Sequence, residues 1–283
     1  MMEVFSSDLL SGKRVLITGG GSGLGKSMAL RFAGLGAQIV ICGRRAEVLE
    51  EAAREIGEVS SRPVETFVCD IRDPDAVDAM MNDVVAASPL DILVNNAAAN
   101  FIAQTHKLSA RAADAVINTT LHGGLYMTLA AGRHWIEAER PGVVLTILST
   151  SVITGRAFTT PSAMAKSGLL AMTRSLAVEW GPRGIRLVAI GPGRFPTQGA
   201  YQRLRPDSRM SKTGDGSSDN PLGRVGKHEE LANLAAFIVS DAGAYINGEM
   251  VVIDGGHHLR TSGAEDLLTW SDEQWQELRD KRT

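Results

Sequence analysis

The sequence predicts an α/β fold, a Rossmann-type doubly wound parallel sheet in a single domain, and three observations predict it. Short β-branched runs alternate with helical spans along most of the chain. The first such run leads into a glycine-rich turn that opens a helix. Thr18, Arg44, Asp70, Asn95, Ser149 and Pro192 all fall just beyond the C-terminal ends of strand runs, which is where ligands bind in open parallel sheets.

Arg14 to Thr18 reads as the first strand, and Lys26 to Gly34 as a helix with apolar residues at Met28, Leu30 and Phe32. Strand 38–42 follows, ahead of a helix that opens at Ala46. Beyond it the pattern predicts strand 65–69, helix 76–86, strand 91–95, one long helix around 110–138 and strand 143–148. A helix from Pro161 to about Trp180, strand 186–190, helix 229–239 and strand 250–253 complete the series. Residues 1–260 are expected to form the domain, including a substrate loop at about 194–228, within which Arg203 to Lys227 is rich in Ser, Gly, Asp and Pro and reads as a lid. Residues 261–283 are expected to be a tail whose Leu267, Leu268, Trp270 and Trp275 cover an apolar surface on this subunit or a neighbour.

Composition narrows the function. With 283 residues, 44% apolar content and thirty glycines, the chain can bury one large core. A net charge of −3 offers no basic stripe for nucleic acid, and no apolar stretch reaches the roughly twenty residues of a membrane span. Small-molecule chemistry is the remaining class. Cys42 and Cys69 end apolar strand runs and read as buried free thiols. His257-His258 has no Cys or acid cluster at ligand spacing, so no metal is expected. The N-terminus lacks the features of a signal peptide or presequence, which points to the cytoplasm.

The turn carries the first binding expectation. In Gly19-Gly20-Gly21-Ser22-Gly23-Leu24-Gly25, Gly19 permits the tight turn, Gly23 the approach of a pyrophosphate, and Gly25 close packing, while the helix start presents free N–H groups to phosphate. At the end of the second strand, where a carboxylate would select NAD, Arg44 and Arg45 stand instead. Guanidinium groups pair with a 2′-phosphate, so the expected cofactor is NADP(H).

Thr18-Gly19, Gly23-Leu24-Gly25, Asn95-Asn96-Ala97-Ala98, Lys166 and Pro192-Gly193 with Thr197 together resemble the short-chain dehydrogenase/reductase family over nearly the whole chain. Within it the chain looks most like the 2,4-dienoyl-CoA reductases, through Asn95 to Phe101, Pro161-Ser162-Ala163-Met164-Ala165-Lys166, Thr197 to Ala200, Glu230 to Phe237 and Ile246-Asn247-Gly248. The resemblance implies that Asp70 and Ile71 meet the adenine and that Asn95, Asn96 and Ala97 line the cofactor's path. It also implies that Lys166 bonds the nicotinamide ribose and that Pro192, Gly193 and Thr197 sit beside the carboxamide. For an acyl-CoA substrate it implies Asn100 at the thioester carbonyl, Phe101 and Ser109 along the acyl-CoA, and Arg72 and Arg203 near the CoA phosphates. A homotetramer is implied as well.

Two departures accompany the likeness. Where related dehydrogenases carry a tyrosine four residues before the lysine, this chain has Ser162. Where the dienoyl-CoA reductases carry a second tyrosine, eleven residues earlier, it has Ser151. A phenol has a reference pKa of about 10 and can protonate an alkoxide; a serine hydroxyl is a much weaker acid. Conjugate reduction tolerates that loss better than ketone reduction, because charge reaching a thioester oxygen needs hydrogen bonds from Asn100, Ser149 or Ser151 rather than a proton there. A water held by Ser162 and Lys166 would then protonate carbon. The relay asparagine of many family members aligns with His122, which could hold water in its place. Tyr201, on the expected substrate loop, could also reach inward. The same residues leave open a carbonyl reductase or alcohol dehydrogenase with an atypical acid, and a non-catalytic NADP-binding protein.

Overall fold

The structure is a computed structural model that describes residues 5–60, 62–197, 220–260 and 264–280. Seven parallel strands form one sheet in the order β3-β2-β1-β4-β5-β6-β7. They are β1 (Arg14–Thr18), β2 (Gln38–Gly43), β3 (Glu65–Val68), β4 (Ile92–Asn95), β5 (Gly142–Ile147), β6 (Ile185–Pro192) and β7 (Met250–Ile253). Strand order reverses between β1 and β4, which opens the crevice where such sheets bind ligands. Helices cover both faces, so β1 and β4 are buried at every position, and their middles, Val15-Leu16-Ile17 and Ile92-Leu93-Val94, are apolar.

Helices α1 (Gly23–Gly34), α2 (Ala46–Gly57) and α8 (His228–Val239) cover one face, with Met28, Phe32, Leu49, Ile56, Leu231 and Ile238 packed on Ile17, Ile41 and Ile190. On the other lie α3 (Pro74–Ala87), α5 (Gly123–Glu137) and α7 (Thr160–Trp180), which bring Val77, Met81, Met127, Trp135 and Trp180 onto Leu16, Leu93 and Val144. Each such fully buried side chain contributes about 1.5–3 kcal/mol. Both cysteines are free and buried, and burial raises both thiols, Cys69 to about 11.

The expected helix over 110–138 is divided. The chain forms α4 (Ala110–Ile117), a π-helical turn (Asn118–His122) and then α5. The extra residue in that turn brings Thr120 to the loop after β4, where its hydroxyl accepts from Ala99 N at 3.1 Å and donates to Ala99 O at 3.4 Å. Next in line, Gly123 packs so closely on Ile71 that a Cβ there would stand 2.6 Å from its Cδ1. The first helix also begins three residues earlier than expected, inside the glycine turn. A short helix α6 (Ser151–Thr154) follows β5, and α9 (Asp272–Asp280) lies in the tail beside a Trp270–Trp275 ring contact at 5.1 Å.

At the N-terminal edge of the sheet, Arg14 is 2% exposed. Its guanidinium donates to Glu65 Oε2 at 2.7 Å, to Glu65 Oε1 at 3.2 Å, to Val84 O at 2.6 Å and to the Ser88 carbonyl. One buried cation thereby ties β1, β3 and the end of α3 together at the edge remote from the crevice. Among the described residues, no helix is long and apolar enough to cross a membrane, and no group of three or more His, Cys, Asp or Glu could hold a metal ion.

Candidate active site

The glycine turn is held in shape by hydrogen bonds from neighbouring side chains. Thr18, 1% exposed, accepts from Asn96 N and Ala97 N at 3.0 Å each and donates to Val94 O at 3.3 Å. The Asn96 amide donates to Thr18 O at 2.9 Å and Gly19 O at 3.4 Å, bracing the turn. Gly25 must lack a side chain, since a Cβ there would lie 2.5 Å from both Asn96 Nδ2 and Gly19 O. Gly23 has φ +53°, the left-handed region in which glycine is at ease. Ser22 caps α1 without a side-chain hydrogen bond, which leaves the first N–H groups of the helix directed into the crevice beside Gly21 and Leu24. A pyrophosphate fits this cradle.

Beyond β2, Arg44 and Arg45 are exposed, with Arg45 at the N-cap of α2. Asp70, followed by buried Ile71, lies near enough for Arg44 to contribute to its lowered pKa. The larger cause is Arg72, whose guanidinium bonds both Asp70 oxygens. The two residues expected to meet the adenine and the CoA are thus paired with each other in this structure. Asn95 corrects the expectation made for it: the side chain is 5% exposed and turned into the core, donating to Thr128 Oγ1 at 2.8 Å and Gly124 O at 3.3 Å. Its neighbours Asn96 and Ala97 are half-buried.

Across the crevice, α7 carries Ser162, 4% exposed, one turn before Lys166 on the same face. The Lys166 ammonium donates to Leu148 O at 2.6 Å and Ile147 O at 3.5 Å, at the end of β5. Part of the side chain remains open to solvent, but the ammonium is enclosed, and burial lowers its pKa to about 8. Ser149 and Ser151 form a turn in the same region. Ser149 Oγ accepts from Ser151 N at 3.3 Å, and Thr150 N donates to Pro192 O at 3.3 Å, which fastens this turn to the β6 exit carrying Pro192, Gly193 and Thr197.

Asn100 and Phe101 are half-buried on the loop after β4. That loop is pinned by Thr120 on one side and by Ala103 N donating to Phe158 O at 3.0 Å on the other. A cavity between Gln104, Thr105, His106, Ala157, Phe158 and Thr160 opens beside it. Ser109, expected along the acyl-CoA, serves as the N-cap of α4 and accepts from Ala112 N at 3.2 Å. His122 faces Asn118 Oδ1 through Nδ1 at 2.9 Å and stacks on Tyr126. Thr120, overlooked in the sequence because a threonine inside a long helix carries no signal of its own, makes the contact with the strand-end loop. Arg203, Tyr201, Gln198 to Ala200 and most of the expected lid lie outside the described residues.

A crevice at the switch point of a parallel sheet, with a phosphate-sized cradle on one side and an enclosed lysine on the other, defines a nucleotide-dependent oxidoreductase. A family model described as Enoyl-(Acyl carrier protein) reductase matches residues 19–258. The chain is 42% identical over 250 residues to the Probable 2,4-dienoyl-CoA reductase [(2E)-enoyl-CoA-producing] of Bacillus subtilis, covering 87% of this chain and 97% of that one. It is 39% identical over 281 residues to the Probable 2,4-dienoyl-CoA reductase decr-1.2 [(3E)-enoyl-CoA-producing] of Caenorhabditis elegans, covering 97% and 90%. A crystal structure of a short chain dehydrogenase from Bacillus anthracis superposes with a TM-score of 0.79 at 42% identity, covering 88% of this chain and 98% of that one. The chain belongs to the short-chain dehydrogenase/reductase family. Its fold is that of a nicotinamide-dependent oxidoreductase, and the turn, the α1 N-terminus and the arginines beyond β2 suit such a cofactor.

Proposed function

We propose that this enzyme reduces 2,4-dienoyl-CoA thioesters to enoyl-CoA with NADPH, as a step in unsaturated fatty acid β-oxidation. The observation that carries the reading is that Lys166, whose ammonium donates to Leu148 O, has buried Ser162 one turn before it on α7, where a phenol would serve ketone reduction. Thr18, Gly19, Gly21, Ser22, Gly23, Leu24 and Gly25 would hold the pyrophosphate, Asp70, Ile71, Asn96 and Ala97 the adenosine side, and Arg44 and Arg45 the 2′-phosphate. Pro192, Gly193, Thr197 and Lys166 would hold the nicotinamide riboside. NADPH, when bound, supplies the hydride that reduces the diene at Cδ.

The rest is the work of this chain's residues. Asn100 and the Ser149–Ser151 turn donate to the thioester oxygen as the electron pair moves onto it, and their fixed placement lowers the cost of that charge. Lys166 adds a positive charge nearby, and a water held by Ser162 and Lys166 gives its proton to carbon, releasing the enoyl-CoA. Phe101 and Ser109, with the adjoining cavity, would lie along the acyl-CoA, and Arg72 and Arg203 toward the CoA portion. In this reading the enzyme is cytoplasmic and homotetrameric, with the C-terminal tail packed on its own subunit or a neighbour.

The test follows absorbance of a trans-2,trans-4-dienoyl-CoA and of the coenzyme, comparing NADPH with NADH and the dienoyl thioester with a 3-oxoacyl-CoA. Loss of the dienoyl chromophore with NADPH supports the reading. Turnover of the 3-oxoacyl-CoA alone would assign carbonyl reduction instead, and tight NADPH binding without turnover of either would assign a binding protein.

A further inference from the structure

His228, the first residue of α8, makes two contacts that join opposite walls of the crevice. Its Nε2 lies 2.7 Å from Pro196 O, on the segment leaving β6, and its Nδ1 lies 3.0 Å from Ser27 Oγ, on the first turn of α1. Ser27 Oγ in turn lies 3.0 Å from Gly23 O in the glycine turn. A carbonyl only accepts, so Nε2 carries a proton, and the Ser27 hydroxyl, which has a single proton, shares it between Nδ1 of the ring and Gly23 O of the turn. The two walls also come close together, since the Thr197 methyl lies 3.3 Å from the position a Cβ on Gly23 would occupy. The base of the bridge is fixed: Glu230 accepts from Lys227 N at 2.8 Å and pairs with Arg224, and Asn233 accepts from Arg31 of α1 at 2.7 Å.

We propose that His228 is a positioning residue that buckles the 192–197 segment onto the first turn of α1, so that the pyrophosphate cradle and the nicotinamide-side wall stand at a fixed separation before the dinucleotide arrives. The proposal rests on the cofactor reading above. A clasp between two walls strengthens binding only of a ligand that touches both, because its contribution is the ordering the ligand no longer has to impose. NADPH spans both walls, whereas 2′,5′-ADP reaches only the adenosine side.

Isothermal titration of the full-length protein with NADPH and with 2′,5′-ADP tests this, alongside thermal unfolding of each ligand-free variant. His228→Ala is expected to weaken NADPH by about tenfold, the equivalent of one or two hydrogen bonds, and to leave 2′,5′-ADP within about twofold. His228→Gln, whose amide can still donate to Pro196 O, is expected to recover most of the NADPH affinity, and Ser27→Ala to lose less than His228→Ala. Unchanged NADPH affinity in His228→Ala, or equal weakening of both ligands, would overturn the clasp alone. Failure of the unsubstituted protein to bind either ligand would overturn the cofactor reading and the clasp with it.

Discussion

On the pyrophosphate side of the crevice, each group that shapes the wall is already bonded to another part of the chain: Thr18 to two amides of the β4 loop, Asn96 to the turn it braces, Gly25 against both. On the side proposed for the acyl chain the walls are just as well fastened, through Thr120 to Ala99, Ala103 to Phe158 and Thr150 to Pro192, but the groups proposed to react are short hydroxyls, one amide and Lys166. The first wall is a receptor whose geometry leaves little room for change. The second keeps its frame while the side chains that meet the substrate can be exchanged. Substitutions on the two sides should therefore fail differently, one in binding and the other in turnover.

The largest effect is expected from Lys166→Ala. Removing an enclosed cation beside developing charge should lower kcat with a dienoyl-CoA by at least about 100-fold, with a much smaller change in NADPH affinity. Steady-state kinetics and titration separate the two, and a kcat like that of the unsubstituted enzyme would refute the assignment. Next comes the opposite wall. Arg44→Ala with Arg45→Ala should weaken NADPH by about 10–100-fold and leave NADH nearly unchanged, the loss expected for one or two charge-assisted hydrogen bonds. Comparable losses for both coenzymes would mean that the arginines do not read the 2′-phosphate.

A pH series sharpens the contrast through one residue. Lys166 loses its proton near pH 8, so kcat should fall above that value by about tenfold per unit where the ammonium is required. Stability moves the other way. The folded pKa, about 8, lies below the ordinary 10.5, so between these values the unfolded chain binds more protons and stability rises with pH; below 8 the full penalty of the buried ammonium is present. Lys166→Met should accordingly melt higher than the unsubstituted protein at pH 7, with the gap narrowing by pH 10, as calorimetry would show. The smallest effect is expected from Ser151→Tyr. A longer, more acidic donor at the thioester oxygen should raise kcat about 3–10-fold, whereas a fall would show that the serine turn has been reshaped around another donor.

How much of this was legible in the sequence depended on whether local pattern or tertiary contact decided the outcome. Each expected strand is present within about two residues, because β-branched runs between helices have one way to bury both faces. The glycine turn was legible because its chemistry is local. The division of the 110–138 helix was not, since the pull on Thr120 comes from Ala99, twenty-one residues away in sequence. Asn95 and Asn96 look equivalent on paper, yet successive side chains of a strand end face opposite ways, so one entered the core and the other braced the turn. His228 gave no signal, because its partners come from two distant segments. Ser109 also caps α4, a use that serine serves by default and that the sequence pattern did not flag.

The Arg14 cluster bears on the history of such a chain. Its guanidinium, Glu65 and the last carbonyls of α3 sit at the edge of the sheet opposite every residue assigned to chemistry. A mutation at a strand exit therefore leaves this fastening intact, and breaking the fastening, for example by Glu65→Ala, disturbs folding without rewriting the crevice. Selection on reactivity and selection on persistence act on opposite rims of one sheet, and the two can drift at separate rates.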